Sequence, residues 1–334
     1  MRILSAGVVL LWSAMTLPAA KNLEIYSIDV EGGQATLFVT PSGDSMLVDT
    51  GWGGHNSRDA LRILAAAKLA GVKKIDYLVT THYHADHVGG VAQLAAKIPI
   101  RNFVDHGESV EQSKAVQVLY NEYLDFRGKG NHIQVKAGDT IPVKGIEVKV
   151  LAAAGKVMDG AAAGGGQPNA ECAGFRMHDA DATENGQSIG LLITYGSFRM
   201  VDMGDLTWNK EKDLVCPVNK VGPVDLYLVS HHGMNMSGSP EWVHALHPKV
   251  ALMNNGAKKG GVPETWQTIR DTPGLQDLWQ LHFSLAGGKE HNSADPFLAN
   301  LDEICEGKWI RVDAQKDGAF KLYNSRNKFE KSYK

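Results

Sequence analysis

Four possible metal ligands fall within one short segment, Thr-His-Tyr-His-Ala-Asp-His, as His82, His84, Asp86 and His87. An apolar run at 75–80, which predicts a buried strand, precedes them, and a predicted helix follows. Side chains two residues apart point the same way on a chain leaving a strand, so His82 and His84 can bind one cation. Asp86 and His87, at the helix start, can face a second. The alternative is a histidine-rich surface loop with Asp86 as a helix cap, but such a cluster rarely arises by chance beside a buried strand.

Imidazole and carboxylate ligands together suit Zn, Mn or Fe more than Ca or Mg. In this HxHxDH segment the chain resembles the metallo-β-lactamase superfamily. The run Met-Leu-Val-Asp-Thr-Gly at 46–51 is similar to the family's strand ending in Asp-Thr-Gly, and Val-Asp-Met-Gly-Asp at 201–205 to its strand ending in Gly-Asp. Ser-His-His-Gly at 230–233 resembles one branch, the hydrolase domain of ComEC-type DNA-uptake proteins. The runs at 29–35 and 184–188 are similar to that branch too.

The resemblance spans roughly residues 24 to 255 and implies an α/β fold of the metallo-β-lactamase type, an αββα four-layer sandwich with the site at one edge between two sheets. It also implies two divalent metal ions, zinc first, with Mn or Fe as alternatives. A carboxylate shared by two dications lowers their repulsion and fixes their spacing. Asp49 is expected to orient the ligands from behind. The implied ligands are His82 and His84 for the first metal, Asp86 and His87 for the second, Asp205 bridging both, and at least one of His231 and His232.

Two positions depart from the superfamily's pattern. The superfamily usually takes a further His between the HxHxDH segment and the bridging Asp, and the candidates are His106, His132 and His178. His106 is preferred because it follows the next predicted strand, although a solvated turn or a substrate contact would also explain it. Where the last ligand often stands, this chain has Asn254 and Asn255. One imidazole of the His-His-Gly element is therefore expected to serve instead.

The remaining histidines are expected to matter less. His244 and His247 fit exposed positions of a helix. His55 and His282 could line the pocket, and His291 fits the surface.

Short β-type runs and three helical patterns must position these groups. A helix is predicted from about residue 57 to 70, with Leu61, Leu64, Ala65 and Leu69 on one face. The Ala/Gly-rich stretch at 152–182 predicts a long loop that could cover the site. Each half runs strands, helix, strand, which favours one four-layer domain at 21–334. The other predicted elements are strands at 23–30, 35–40, 45–49, 100–104, 188–194, 198–203, 225–230 and 250–253, helices at 88–97 and 241–246, and a hairpin at 309–323 that turns at Asp317-Gly318.

Composition and the first twenty residues predict an exported globular protein. A formal net charge of -3 gives no basic excess of the kind that announces nucleic-acid binding. Arg2, an apolar run at 3–17 and small residues at 18–20 predict a signal peptide. The run, about 15 residues, is shorter than the ~20 that span a bilayer, so a retained membrane anchor is the less favoured reading. No later segment predicts a transmembrane helix, and a periplasmic or secreted location follows.

Three cysteines, Cys172, Cys216 and Cys305, allow one disulfide and one free thiol, with no basis for choosing the pair. The sequence gives no prediction of oligomeric state.

The predicted activity is metal-dependent hydrolysis. Two metals would generate a bound hydroxide that attacks phosphorus or carbonyl carbon and would stabilise the charge that develops on the substrate. Asp86 is a candidate proton relay, and whichever of His231 and His232 is free is a candidate proton donor, His232 being named first. A phosphodiester is the favoured substrate, although the near-neutral composition argues against a nuclease. The alternatives are a lactonase or β-lactamase-like hydrolase of a cyclic ester or amide, and a non-catalytic metal-binding surface protein.

Overall fold

The computed structural model describes residues 22–334. The predicted signal peptide lies outside the described residues. Two nine-stranded sheets and one two-stranded ribbon account for the strands. The strands are β1 Leu23–Ser27, β2 Thr36–Val39, β3 Ser45–Val48, β4 Ile75–Val79, β5 Ile100–Asp105, β6 Asn131–Gln134, β7 Thr140–Ile141, β8 Glu147–Ala153, β9 Lys156–Val157, β10 Gln167–Pro168, β11 Gly190–Tyr195, β12 Phe198–Asp202, β13 Val218–Asn219, β14 Leu226–Leu228, β15 Val250–Met253, β16 Asp277–His282, β17 Leu298–Asn300, β18 Ile310–Ala314, β19 Phe320–Asn324 and β20 Glu330–Tyr333. The α-helices are α1 Arg58–Leu69, α2 Ala85–Val88, α3 Val91–Ala95, α4 Lys114–Arg127, α5 Trp208–Val215, α6 Pro240–Leu246 and α7 Pro263–Arg270.

The first sheet has the order β20-β19-β18-β1-β2-β3-β4-β5-β6. The three predicted strands β1, β2 and β3 form an antiparallel meander, and β3, β4, β5 and β6 then run parallel to one another. The predicted terminal hairpin, β18 and β19, adds to the free side of β1. Parallel strands put their carboxyl ends on one edge of the sheet, so the segments after β3 and β4 meet there.

The second sheet has the order β17-β16-β15-β14-β12-β11-β8-β7, with β9 paired to β8. Strands β12, β14, β15, β16 and β17 are parallel, and β11 and β8 are antiparallel to their neighbours. The carboxyl ends of β12 and β14 therefore also share an edge, and the segments that follow them carry Asp205 and the His-His-Gly element.

The core lies between the two sheets, where Phe38 and Val48 of the first sheet share a buried cluster with Leu191, Met200 and Trp279 of the second. Helices cover the outer faces: α1, α3 and α4 pack on the first sheet, and α5, α6 and α7 on the second. The predicted αββα four-layer sandwich is confirmed.

Two helices differ from their predicted form. The face that α1 buries is Ala60, Ile63, Ala66 and Ala67, whereas Leu61 and Leu69 are 51% and 57% exposed. The predicted helix at 88–97 begins at residue 85 and divides at Gly89-Gly90 into α2 and α3. A Cβ on Gly90 would lie 2.2 Å from the Thr50 carbonyl oxygen, so only glycine lets the break pack against the segment after β3.

The long segment predicted as a loop is mostly irregular after β8 ends at Ala153. A disulfide between Cys172 and Cys216 ties it to the segment after α5, and Cys305 is the free thiol. The ribbon of β10 and β13 adds a second attachment. Within residues 22–334, no helix has the length and apolar character needed to cross a bilayer.

Candidate metal centre

Four loops that follow strands bring the predicted site residues together. Asp49 follows β3, His82 to His87 follow β4, Asp205 follows β12, and the His-His-Gly element follows β14. Each of these loops begins at the carboxyl end of a buried parallel strand. Sheets of α/β proteins place ligand-binding groups at that end. The described structure thus collects residues that are more than a hundred positions apart in the chain.

One half of the centre consists of Asp86, His87, Asp205 and His232, whose ligand atoms all lie within 4.8 Å of one another. His87 Nε2 lies 3.2 Å from Asp86 Oδ2 and 3.2 Å from Asp205 Oδ1. His232 Nε2 lies 3.1 Å from Asp86 Oδ2 and 3.3 Å from Asp205 Oδ1. Two ring nitrogens and two carboxylate oxygens therefore converge on one point.

The other half is organised around the second oxygen of Asp205. Asp205 Oδ2 lies 3.2 Å from His231 Nε2 and 3.9 Å from His82 Nε2. His84 Nδ1 lies 3.1 Å from His82 Nε2. The two oxygens of Asp205 thus face different groups of imidazoles, as the bridging position requires. The sequence could not choose between His231 and His232, and the structure places one in each half.

The separation of these two neighbours comes from an unusual backbone. His231 and His232 both have positive φ, 52° and 55°, a left-handed conformation that non-glycine residues adopt at a cost. The His231 amide donates to the Gly204 carbonyl at 2.9 Å, and the carbonyl oxygen of His232 would lie 2.0 Å from a Cβ on Gly260. Contacts on both sides hold the strained turn and direct the two rings apart.

Asp49 lies behind the centre, where it contacts His87 and Thr81. Its Oδ2 lies 2.7 Å from His87 Nδ1 and accepts a hydrogen bond from Thr81 Oγ1, also at 2.7 Å. Its Oδ1 accepts from the Thr81 amide at 2.8 Å. A carboxylate on the far nitrogen of a ligating imidazole fixes the tautomer that leaves Nε2 free to bind.

His84 has an equivalent support that the sequence did not indicate. Glu111 Oε1 lies 2.9 Å from His84 Nε2, which leaves His84 Nδ1 to face the centre. The same oxygen accepts from the amide of Glu184 at 3.0 Å. Glu111 stands 27 residues from His84 in a segment without regular structure, so no periodic pattern marks it. Glu184 carried only the weak signal of the branch-like run at 184–188.

The structure does not bring His106 to the metal centre, and this prediction is corrected. His106 Nε2 lies 3.0 Å from Glu184 Oε2, and its ring packs on Tyr83. Glu184 also accepts from Ser109 Oγ and the Val110 amide, so that His106 belongs to a buried polar cluster beside the site. His106 does follow β5, which was the reason for preferring it, but its ring is already paired with Glu184.

The other candidate histidines also lie elsewhere. His132 Nε2 lies 3.0 Å from Asp105 Oδ1, and the ring of His178 packs edge-on against Trp208. His244 Nδ1 lies 3.8 Å from Glu171. The two that could line the pocket do not touch the centre: His282 is buried against Asp29, and His55 lines a separate surface cavity.

Electrostatics within the centre favour a cation. Burial, with the charge of His87, lowers the pKa of His82 well below its usual value, and burial lowers that of His231 to about 4. Burial opposes the ionisation of Asp86 and Asp205, but the neighbouring histidines hold both carboxyl pKa values well below the usual range. Burial opposes protonation of His87, but the charges of Asp205, Asp86 and Asp49 outweigh it and hold its pKa well above the usual value. The ionised carboxylates thus draw positive charge into the centre, and a divalent transition metal bound by these imidazole and carboxylate groups would supply it.

The surroundings of Asp205 Oδ1 show whether these residues fit a metal ion. This oxygen is buried and, among the described residues, receives no hydrogen bond of acceptable geometry. Burying an unpaired carboxylate oxygen is costly, and a cation at the point where the four groups converge would satisfy it. The residues present therefore fit a pair of divalent metal ions, with His82, His84, His231 and Asp205 on one and Asp86, His87, His232 and Asp205 on the other.

Lys259 and Trp52 border the centre. Lys259 Nζ contacts Asp86 Oδ2 and lies 5.3 Å from the centre of the Trp52 ring. Lys259 is partly exposed, so a cation and an aromatic surface stand where a substrate would approach. No motif in the sequence marks either residue.

Comparisons with known proteins agree with the motifs. Residues 28–167 match the family model of the Metallo-beta-lactamase superfamily. ComE operon protein 3 of Bacillus subtilis (strain 168) is 24% identical over 247 residues, which is 70% of this chain and 28% of that protein. A Hydroxyacylglutathione hydrolase of Rhodopseudomonas palustris (strain HaA2) is 33% identical over 101 residues, 30% of this chain and 33% of that protein. The chain thus spans about a third or less of the length of these curated relatives.

A solved metallo-beta-lactamase fold protein, YhfI from Bacillus subtilis, aligns with 77% of this chain and 96% of its own at a TM-score of 0.47 and 12% identity. The family match and the ComE relative confirm the resemblance that the HxHxDH, Gly-Asp and His-His-Gly elements indicated.

Proposed function

We propose that this chain, whose residues 28–167 match the family model of the metallo-β-lactamase superfamily, is an exported dizinc hydrolase that cleaves a phosphodiester. The observation that carries the proposal is the Asp205 carboxylate, whose two oxygens face two separate sets of imidazoles. A carboxylate whose two oxygens face different ligand sets can bridge two cations. A site for one cation would not need this arrangement.

When bound, the two metals would lower the pKa of a water molecule and attract the oxygens of the substrate. The chain's own groups hold and shape that chemistry. Asp49 and Glu111 orient the rings of His87 and His84, and the buried walls of the site exclude bulk water, which strengthens each electrostatic contact.

Two predicted proton carriers take narrower roles. His232 is fully buried with Nε2 facing Asp86 and Asp205, so we assign it to metal binding and not to proton donation. The depressed pKa of Asp86 keeps it a carboxylate, so it can accept a proton but does not hold one to donate. His231, slightly exposed, is the ring nearer to solvent.

Lys259 favours an anionic substrate. Its ammonium group stands at the rim beside Asp86, where it can pair with a non-bridging phosphate oxygen. We propose no nucleic-acid partner, because the net charge of -3 offers no broad basic surface for a long polyanion.

A second candidate is acyl chemistry on a thioester, lactone or β-lactam. The relative that favours it is the Hydroxyacylglutathione hydrolase, which is 33% identical over 101 residues. The same two-metal arrangement can attack a carbonyl carbon, so the choice depends on substrate contacts outside the metal ligands.

The test is metal analysis of the purified protein followed by a substrate panel. We expect about two metals per chain and chelator-sensitive hydrolysis of bis-p-nitrophenyl phosphate, with little activity on nitrocefin, acyl-homoserine lactones or S-lactoylglutathione. Preferred hydrolysis of an acyl substrate would move the assignment to the second candidate. A metal-loaded protein inactive on the whole panel would favour a non-catalytic metal-binding protein, and recovery of the tagged full chain only from the cytoplasm would contradict export.

A further inference from the structure

A cavity of about 370 Å³ is lined in part by the two segments that follow Asp205 and His232. We call it the Trp208 pocket, after the residue that forms its wall, and its other main lining residues are His178, Asp179, Asp181, Asn235 and Met236. Its volume lies within the range of about 300–1,000 Å³ typical of small-molecule sites.

Chain connectivity places the Trp208 pocket next to the reacting atoms. Trp208 follows Asp205 by three residues, and Asn235 follows His232 by three. Since consecutive Cα atoms are about 3.8 Å apart, each Cα lies within roughly 11 Å of that of a proposed ligand. The Trp208 amide donates to the Met236 carbonyl at 3.1 Å and joins the two segments. The metal ligands and the pocket wall therefore belong to the same two loops, close enough for one substrate to contact both.

The third wall, residues 178–181, is fixed to the body of the protein by hydrogen bonds. Asn209 Oδ1 accepts from the His178 amide at 3.1 Å, and Asn209 Nδ2 donates to the carbonyls of His178 and Asp179 at 2.8 and 3.2 Å. The His178 ring packs on Trp208 with ring centres 4.2 Å apart. This wall belongs to the long segment predicted to cover the site, and it forms a built surface beside it.

The charge of the Trp208 pocket is negative. Asp179 and Asp181 both line it, and no Lys or Arg does. Asp181 Oδ1 accepts from the Thr183 amide and hydroxyl, but Asp181 Oδ2 is buried and has no hydrogen-bond partner among the described residues. A carboxylate without a hydrogen bond to one of its oxygens and an indole ring that line the same pocket suit a cation, which the carboxylate attracts by charge and the ring by its negative face.

The charge is reversed beside Asp86, because the ammonium group of Lys259 contacts that residue and lies near Trp52. We propose that the Trp208 pocket binds a positively charged ammonium group of the substrate, so that the substrate is a zwitterionic phosphodiester with its phosphate at the metals and its cation in the pocket. This inference rests on the proposed phosphodiesterase function and names its substrate class.

Binding to the metal-loaded protein tests the pocket without hydrolysis. Choline and 3,3-dimethylbutan-1-ol have the same shape, but only choline is charged. We expect choline to bind at least tenfold more tightly in calorimetry, and Asp181→Asn and Trp208→Ala each to weaken it about tenfold or more. Asp302→Asn, which removes an exposed carboxylate elsewhere, is the matched control and should change nothing. Equal binding of both compounds, or no binding of choline, overturns the proposal.

Hydrolysis supplies the second arm. We expect kcat/KM for p-nitrophenylphosphocholine to exceed that for p-nitrophenyl ethyl phosphate at least tenfold, and Asp181→Asn to reduce that ratio. If choline binds and neither phosphodiester is cleaved, the proposed function fails while the cation site stands. If both phosphodiesters are cleaved equally and choline does not bind, the function stands and the inference fails.

Discussion

Two groups of four potential metal ligands occur in the described structure, and in each the ligand atoms lie within 4.8 Å of one another. The first belongs to the metal centre: Asp86, His87, Asp205 and His232. The second, which we call the Arg62 cluster, consists of Asp29, Glu31, His282 and Cys305 around the guanidinium of Arg62. By proximity alone the two groups are equivalent. They differ in how their charge is balanced.

In the Arg62 cluster the protein supplies the cation. Arg62 Nη1 lies 2.8 Å from Asp29 Oδ2 and 3.0 Å from Glu31 Oε1. Burial and the charge of Asp29 raise the pKa of Cys305 to about 12, so that its sulfur stays a thiol and donates to Asp29. His282 Nε2 pairs with Asp29 at 2.8 Å. The carboxylates are thus already neutralised and hydrogen-bonded.

In the metal centre no guanidinium plays this part. Lys259 touches Asp86, but Asp205 faces only imidazoles, and its Oδ1 has no hydrogen bond. Convergent ligands therefore indicate a metal site when their negative charge is not balanced by the protein. They indicate a structural ion cluster when an arginine already pairs with them.

Replacing one carboxylate in each group should give opposite results, and the change in the metal centre should be the larger. Asp205→Asn should lose bound metal and reduce hydrolysis about a thousandfold or more, because several kcal/mol of charge stabilisation depend on the metals. Asp29→Asn is the matched change in the Arg62 cluster and should keep both metal content and activity. Metal analysis and kcat measurements on the two variants decide the matter. A fully metal-loaded, active Asp205→Asn protein would contradict the assignment of the centre.

Arg62→Met should make the Arg62 cluster able to bind a divalent metal ion, as the metal centre does. The change leaves Asp29 and Glu31 without their cation, and breaking a buried ion pair in this way costs about 3–5 kcal/mol. We expect a lower Tm that added Zn²⁺ or Cd²⁺ partly restores, because a divalent ion can now replace the guanidinium. Cys305→Ser in the same background should reduce the restoration. An equal rise in Tm of the wild type with added metal would show that Arg62 does not determine whether this cluster binds metal.

Much of this arrangement could be predicted from sequence because it depends on local patterns. Alternating apolar residues marked the β1-β2-β3 meander and the terminal hairpin, and the strand before His82 placed the HxHxDH segment at a sheet edge. The helix α4 was not predicted, since only Val116 and Tyr123 of its apolar residues are buried and the pattern is weak.

The remainder depended on contacts between distant residues. The choice between His231 and His232 follows from two left-handed backbone positions that no residue preference announces. His106 was the preferred extra ligand because of its place after a strand, but Glu184, 78 residues away, binds its ring. The role of Arg62 was equally hidden, because its partners come from two distant segments, Asp29 and Glu31 near the start of the described chain and Cys305 near its end.

Glu111→Gln should have a smaller effect within the metal centre itself. Glu111 orients His84 through Nε2, and loss of such a support typically costs 10- to 100-fold in metal affinity or activity. Titration with a competing chelator should show one metal weakened and the other retained, which a general loss of stability would not produce. Glu122→Gln, on the exposed side of α4, is the control. Equal weakening of both metals would contradict a role specific to His84.

The smallest expected effect concerns acid stability of the Arg62 cluster. Burial alone would raise the pKa of Asp29, but His282 and Arg62 outweigh it and lower that pKa below the usual value. The unfolded chain therefore takes up the Asp29 proton before the folded protein does. The contribution of Asp29 to stability is complete above its unfolded pKa of about 4 and is lost as the pH falls through the lower, folded value.

Asp29→Asn removes that contribution, so its destabilisation should be largest near pH 6 and should shrink as the pH drops below about 4. Urea unfolding at several pH values measures it. The comparison belongs in an Asp205→Asn background, because metal released by acid from the centre would otherwise add its own pH dependence to both proteins. A destabilisation by Asp29→Asn that is the same at every pH would mean that Asp29 acts there through packing, and that Arg62 does not hold it as a charge.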